Sequence, residues 1–128
     1  MENHIKTYTA LNAVTATTTS SKYYVGGAKR VAVLLRRADH GSGSSAFTIK
    51  GSLDEIGTVT PTMTALNVWL DNVTNTNTQN LTRVVGKTLA ANGDAFLWLS
   101  PECLINWIEI TCTESVDGTH SAFIICEY

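Results

Sequence analysis

Charge, proline and paired cysteine are all scarce in this chain. Only 16% of its 128 residues are Asp, Glu, Lys or Arg, and the formal net charge is −2. It therefore lacks the basic surplus with which nucleic-acid binders neutralise phosphates. Two prolines and nine glycines are too few for a Pro- or Gly-rich low-complexity chain. With 44% apolar residues and a mean hydropathy of +0.04, a largely disordered chain is excluded as well. The three cysteines, Cys103, Cys112 and Cys126, are an odd number, and none sits in the CxxC or Cys/His spacing that zinc requires. They read as buried free thiols, small hydrophobes in a protein that folds in a reducing cytoplasm. No run approaches the roughly 20 apolar residues of a membrane span, and MENHIKTYTALNAV has no signal-peptide core.

What is there is threonine, nineteen residues of it, set in short apolar segments bounded by Gly, Ser, Asn or Asp. Threonine and valine fit a pleated, half-buried surface better than a helix, so the pattern predicts an all-β fold: a single antiparallel β-sandwich, a jelly roll being the expected form. Residues 1–22 read as an extended N-terminal arm, or a first edge strand plus the TTTSS linker, and residues 23–128 as the sandwich domain. KRVAVLLRR (29–37) is apolar on both faces, with Val31, Val33 and Leu35 on one and Ala32 and Leu34 on the other, and so predicts a central strand. DHGSGSS reads as a mobile loop, and AFTIKGS as the next strand. Pro61 marks an edge or a break between two short strands, and a helix is hard to place anywhere, residues 62–72 being the best rival. Further strands are expected near Leu81–Leu89, Ala95–Leu99, Asn106–Thr113 and His120–Tyr128. Asp117-Gly118 is a strong turn signal, so the last two are expected to form a β-hairpin.

Charge is unevenly spread. Residues 1–50 carry a net +5 and residues 51–128 a net −7, so a basic N-terminal segment that docks on an acidic neighbouring copy is the sharper alternative to charges that simply mix on the folded surface. Parity along the strands puts Ile108, Ile110 and Cys112 on one face, with Trp107, Glu109 and Thr111 on the other. It likewise separates Leu66, Val68 and Leu70 from Asn67, Trp69 and Asp71. Trp69 and Trp107 thus lie on polar faces, either under loops or in contact with another chain or ligand, whereas core packing is expected for Trp98. The candidate interface residues are Lys6, Tyr8, Tyr23, Tyr24, Arg36, Arg37, Trp69 and Trp107. No GxSxG, HExxH, Walker A or GxGxxG pattern is present. Asp39-His40-Gly41-Ser42 holds the residue types of a hydrolase triad, but neighbours in sequence do not reach the mutual geometry. No catalytic residue, metal ligand or cofactor site is expected.

The segments Lys29 to Leu35, Thr48 to Asp54, Trp107 to Thr113, Asp117 to Thr119 and Ser121 to Tyr128 resemble the small β-sandwich virion proteins of tailed bacteriophages, of the head-decoration, auxiliary-capsid or tail-accessory type. Those carry K-x-V-x-V-x-L, T-x-x-G-S-x-D, W-I-x-I-x-x-T, D-G-T and S-A-x-x-x-x-x-Y. This chain continues Asp54-Glu55-Ile56-Gly57 where the family has D-G-x-x-W. The resemblance implies a non-enzymatic virion structural protein, oligomeric, with the major capsid or other virion proteins as partners and no nucleic-acid or membrane partner. It places the chain in the virion after folding in the host cytoplasm. The alternative is a lectin-like or receptor-binding module of the same class, with Trp69 or Trp107 stacking on a surface glycan.

Overall fold

The alternation of KRVAVLLRR sets the middle of the molecule. In the computed structural model this segment is a strand that turns Val33 and Leu35 into the core and is hydrogen-bonded on both sides. The structure describes residues 4–66, 68–75, 78–84, 86–99 and 105–128, with 68–75 and 78–84 described as backbone only. Among these residues there are twelve strands and no helix: β1 (Ile5–Val14), β2 (Thr18–Thr19), β3 (Tyr23–Tyr24), β4 (Arg30–Ala38), β5 (Ser45–Ser52), β6 (Thr64–Ala65), β7 (Val68–Asn75), β8 (Thr78–Val84), β9 (Gly86–Leu89), β10 (Gly93–Trp98), β11 (Trp107–Glu114) and β12 (Thr119–Glu127). One sheet runs β1-β12-β4-β10-β7-β8. The other runs β2-β11-β5-β6, with β3 on β11 and β9 on β5, and every pairing is antiparallel. The expected all-β sandwich is therefore the fold.

The inner faces meet in a core containing Val33, Leu35, Phe47, Ile49, Leu97, Ile108, Ile110 and Ile124, all essentially inaccessible to solvent. Removing one of these, as in Ile110→Ala, leaves a cavity and costs about 2–5 kcal/mol. Ile108, Ile110 and Cys112 share the inner face as parity requires. Cys112 and Cys126 are buried free thiols, and Cys103 lies outside the described residues.

Two open alternatives are decided and one expectation needs correction. Of the two forms expected for the N-terminal segment, it takes the edge strand and not the free arm: β1 pairs with β12 from Ile5 to Val14, Leu11 is buried, and the following TTTSS stretch is tied to β11 through Ser20 N to Ile110 O and Ile110 N to Ser20 Oγ. Its two register irregularities, at Thr9/Leu11 and Leu11/Val14, are bulges of the kind that keep an edge strand from pairing further. The described part of 62–72 is strand at Thr64–Ala65 and from Val68 onward, not helix. The last two strands do not form a hairpin, since β11 belongs to one sheet and β12 to the other. The turn at Asp117-Gly118 exists, but it carries the chain across the sandwich. Leu81–Leu89 is similarly divided, with β8 in one sheet and β9 in the other.

Those crossings meet around one side chain. Arg37 follows Val33 and Leu35 on the inner face of β4 and is 1% exposed. Its Nη1 donates to the carbonyls of Gly43 (3.0 Å) and Leu89 (2.7 Å), and its Nη2 to those of Ser42 (3.1 Å) and Asp117 (2.5 Å). The β4–β5 loop, the end of β9 and the β11–β12 turn are thus tied to one guanidinium, whose planar fork suits convergent acceptors. Asp117 Oδ1 accepts from the backbone N–H of Gly41 and Ser42, both at 3.0 Å, and Ser44 N donates to Ser115 Oγ. The Gly/Ser loop is therefore pinned rather than mobile. Gly118, at φ +125°, must lack a side chain, because a Cβ there would come within 2.8 Å of Arg37 Nε.

Candidate interaction surface

The outer face of the six-stranded β1-β12-β4-β10-β7-β8 sheet is apolar where a solvated face is ordinarily polar. Cross-strand pairing sets Ile125, Ala32 and Trp98 in one row, and Phe123, Leu34 and Phe96 in the next. Phe96 is 43% and Trp98 38% exposed, with their rings stacked at 6.1 Å and 19°. This corrects the expectation that Trp98 packs in the core: Ala95, Leu97 and Leu99 take the inward positions of β10, which forces Trp98 outward.

Both ends of this apolar field are closed by bidentate ion pairs. At one end Arg30 Nε and Nη2 donate to Glu127 at 3.1 and 2.6 Å. At the other, Arg36 Nε and Nη2 donate to Asp94 at 2.9 and 3.1 Å, and the Arg36 guanidinium stands 6.0 Å from the Phe123 ring centre. Each guanidinium holds its carboxylate below the usual range by hydrogen bonding and charge. Near the Arg30 end the face dips into a depression of about 210 Å³, floored by Val31, Ala32 and Ile125 and walled by Ile5 and Trp98. An apolar centre with a charged rim is the anatomy of a protein contact surface.

The eight residues singled out from the sequence do not gather on this face. Lys6 is exposed, with its ammonium 4.8 Å from the Tyr8 ring centre. Tyr8 leans on Tyr23, whose hydroxyl donates to Thr9 O. Tyr24 packs edge-on against Trp107, and Trp107 Nε1 donates to Asp54 O at 3.0 Å. These aromatics are spent on contacts inside the chain. Arg37 is buried and presents nothing outward, a correction that the parity of Val33 and Leu35, carried two residues further, already contained. The side chain of Trp69 lies outside the described residues, as does the parity inferred around it. Of the candidates whose side chains are described, Arg36 alone borders the apolar field. Phe96, Trp98, Phe123 and Ile125 were missed, because their strands are apolar on both faces and periodicity does not say which face is the inner one.

The search for chemistry ends in a sealed pair. His120 Nδ1 faces the carbonyl of Val14 at 3.1 Å, which only accepts, so Nδ1 carries the proton. On the other side of the ring, Nε2 is hydrogen-bonded to Ser45 Oγ at 2.7 Å. Ser45 and His120 are both fully buried and Phe47 packs on the imidazole, so no substrate reaches this hydroxyl, and the pair joins β5 to β12 as a structural bond. His40 lies apart, half-buried, with Nε2 3.3 Å from Gly43 O. Among the described residues no group of three or more His, Cys, Asp or Glu is placed to hold a metal ion.

A second exposed apolar feature lies on the β5–β6 loop, where Leu53, Ile56 (71% exposed) and Val59 (96%) project into solvent. The loop base is held firmly. Asn106 Nδ2 donates to Leu53 O, Asp54 Oδ2 accepts from Thr62 N at 2.7 Å, and Thr58 Oγ1 donates to Glu55 O.

No family model and no curated protein matches the chain. Among solved structures it is similar to the crystal structure of the SPBc2 prophage-derived protein YomS, with 14% identity over 100% of this chain and 96% of that one and a TM-score of 0.68. The two share a fold along their whole length. A structure from work on Bacillus endospore appendages, described as a novel family of disulfide-linked pili, aligns over 98% of this chain and 82% of that one at 14% identity. Its TM-score is 0.37, too low to argue from.

Proposed function

We propose that this chain is a non-enzymatic structural subunit of a phage-related particle, acting as a capsid decoration or auxiliary protein that binds neighbouring virion proteins. The observation that carries the reading is the apolar outer sheet face bounded by the Arg30–Glu127 and Arg36–Asp94 pairs, since a contiguous exposed apolar field on a soluble domain marks a contact for another macromolecule. The full-length likeness in fold to a prophage-derived protein supports the setting. So does the strand alternation. With the β7–β8 hairpin set aside as an addition to one edge and the two-residue strands β3 and β6 left out, β1-β12-β4-β10 and β2-β11-β5-β9 interleave as two four-stranded halves, and we read this as a jelly roll, a fold used by viral capsid domains. The sealed Ser45–His120 pair argues against acyl-transfer chemistry at the one place among the described residues where a serine hydroxyl meets an imidazole.

The test is to tag the chain in the genome that encodes it, purify particles on a density gradient and follow the tag. Co-sedimentation at fixed stoichiometry, reduced by Phe96→Asp or Trp98→Asp, is the expected result; a tag that never enters the particle fraction refutes the proposal. A second reading, glycan binding, rests on the stacked and exposed Phe96 and Trp98 rings, a flat platform of the kind a sugar ring packs against. It replaces Trp69 and Trp107 as the sugar-stacking candidates, and a glycan array with Trp98→Ala as control decides it.

A further inference from the structure

Two features of opposite shape occur on different parts of the surface: the depression on the outer face of the first sheet, and the rigid apolar tip of the β5–β6 loop, which leaves the second sheet. A dry cavity of roughly 150 Å³ accepts a benzene-sized group, so the depression of about 210 Å³ has room for one branched aliphatic side chain. Five of its seven lining residues are aliphatic or aromatic, Ile5, Val31, Ala32, Ile125 and Trp98, and the other two are the ion-paired Arg30 and Glu127. The surrounding charges also match. Among the described residues, Lys29 and Arg30 are exposed beside the mouth, with Glu127 paired to Arg30. The tip carries Asp54 and the exposed Glu55 immediately before Ile56, with no basic residue between 51 and 66. A net positive mouth thus faces a net negative knob, a local form of the basic-half, acidic-half split in the sequence.

We propose that Ile56 of one copy inserts into the depression between Ile5, Ile125 and Trp98 of a second copy of this chain, with Val59 against its rim and Glu55 drawn toward Lys29 and Arg30. This rests on the reading of the chain as a structural subunit and names the partner at its outer face. The knob and the hole are different patches, so the contact is head-to-tail and adds copies in series, closing to a ring or extending as a filament according to the rotation per copy. The fixed base of the loop matters because a knob held in place before contact loses little conformational freedom on binding. The Trp107 Nε1 bond to Asp54 O is part of that base.

The test is sedimentation velocity over a wide concentration range with three samples. Wild type is expected to show species larger than a monomer that grow with concentration and weaken with salt. A knob variant, Ile56→Asp with Val59→Asp, and a hole variant, Ile125→Glu, are each expected to lose self-association by at least about tenfold, since each removes one buried aliphatic group from the contact. Ala32→Leu, which fills the floor without adding charge, serves as the second hole variant should Ile125→Glu fail to show a wild-type thermal transition. Mixed in equal amounts, knob and hole variants should form dimers and nothing larger, because one intact knob still meets one intact hole. Assembly of wild type without dimers in the mixture overturns the head-to-tail contact in favour of face-to-face packing. A wild type that stays monomeric overturns self-association altogether. Particle co-sedimentation is scored separately: a monomeric chain that enters particles refutes this inference alone, and one that assembles in solution but never enters them refutes the virion reading alone.

Discussion

Arg37→Met is the sharpest test of how the sandwich is held together. The substitution keeps much of the aliphatic volume but removes the donors that satisfy four carbonyls. The Leu89 carbonyl is buried and, once orphaned, costs about 1–3 kcal/mol. Those of Gly43, Ser42 and Asp117 are part-buried and can regain water, so each loses only the net value of a hydrogen bond, about 0.5–1.5 kcal/mol. The total is about 2.5–7.5 kcal/mol, a large part of the 5–15 kcal/mol typical of a domain. One effect opposes it, because replacing buried charged groups by apolar ones of similar volume is often neutral. That holds when all partners are replaced together; here the partners are backbone carbonyls, which remain. Denaturation in urea, followed by tryptophan fluorescence, should show the midpoint lowered by roughly 2 M, and calorimetry a melting temperature lowered by about 10–20 °C. Arg37→Lys should fall between, since one ammonium cannot span all four acceptors. An Arg37→Met protein within about 1 kcal/mol of wild type would refute the argument that this side chain ties the crossings.

The remaining predictions concern the same end of the molecule and the core. Hydrogen bonds from Ser42 N and Gly41 N hold the Asp117 carboxyl below the usual range. Its contribution to stability is therefore full above about pH 4, the unfolded value, and is lost as pH falls through the lower folded one. The stability gap between wild type and Asp117→Asn, measured by denaturation from about pH 6 downward, should close in acid; a gap independent of pH contradicts the assignment. Burial pushes the Cys112 thiol up to about 11 and raises that of Cys126, so mass spectrometry after thiol labelling at about pH 8 should find both unmodified until the protein unfolds. Gly86→Ala would drive a Cβ into the carbonyl oxygen of Phe47 and disturb the β5–β9 pairing. A loss of about 1–3 kcal/mol in thermal or urea unfolding is expected, and an unchanged transition would show that β9 is placed differently.

The strand content and the inner face of the penultimate strand follow from residue chemistry alone. Alternation in WIEITCT is local, and Ile108, Ile110 and Cys112 have only one face on which all three escape water. The Val33, Leu35, Arg37 parity was just as legible, but a guanidinium inside a sandwich is acceptable only when acceptors from distant segments converge on it, and no local pattern shows that Ser42, Gly43, Leu89 and Asp117 do. The Asp117-Gly118 turn illustrates the limit from the other side. Its dipeptide states that the chain reverses, and says nothing about whether the next strand pairs with the one before it. That choice went to the other sheet because β12 buries Ala122, Ile124 and Cys126 between β1 and β4, whose paired residues lie more than 100 and more than 80 positions away and are brought together only in the folded chain.

The outward apolar rows were decided in the same way. Phe96 and Trp98 alternate with Leu97 and Leu99, and hydropathy is nearly symmetrical about the strand. Tertiary packing broke the symmetry by setting Leu97 between the sheets, which left two aromatic rings beside Phe123 and Ile125 on the surface. By itself, then, the scarcity of charge and proline and the wealth of threonine determined a single all-β domain with no legible catalytic motif. Where the chain crosses between sheets, which arginine lies inside and which aromatics face outward were settled only by contacts between residues far apart in sequence, because burial is a property of the assembled layers and not of any one strand.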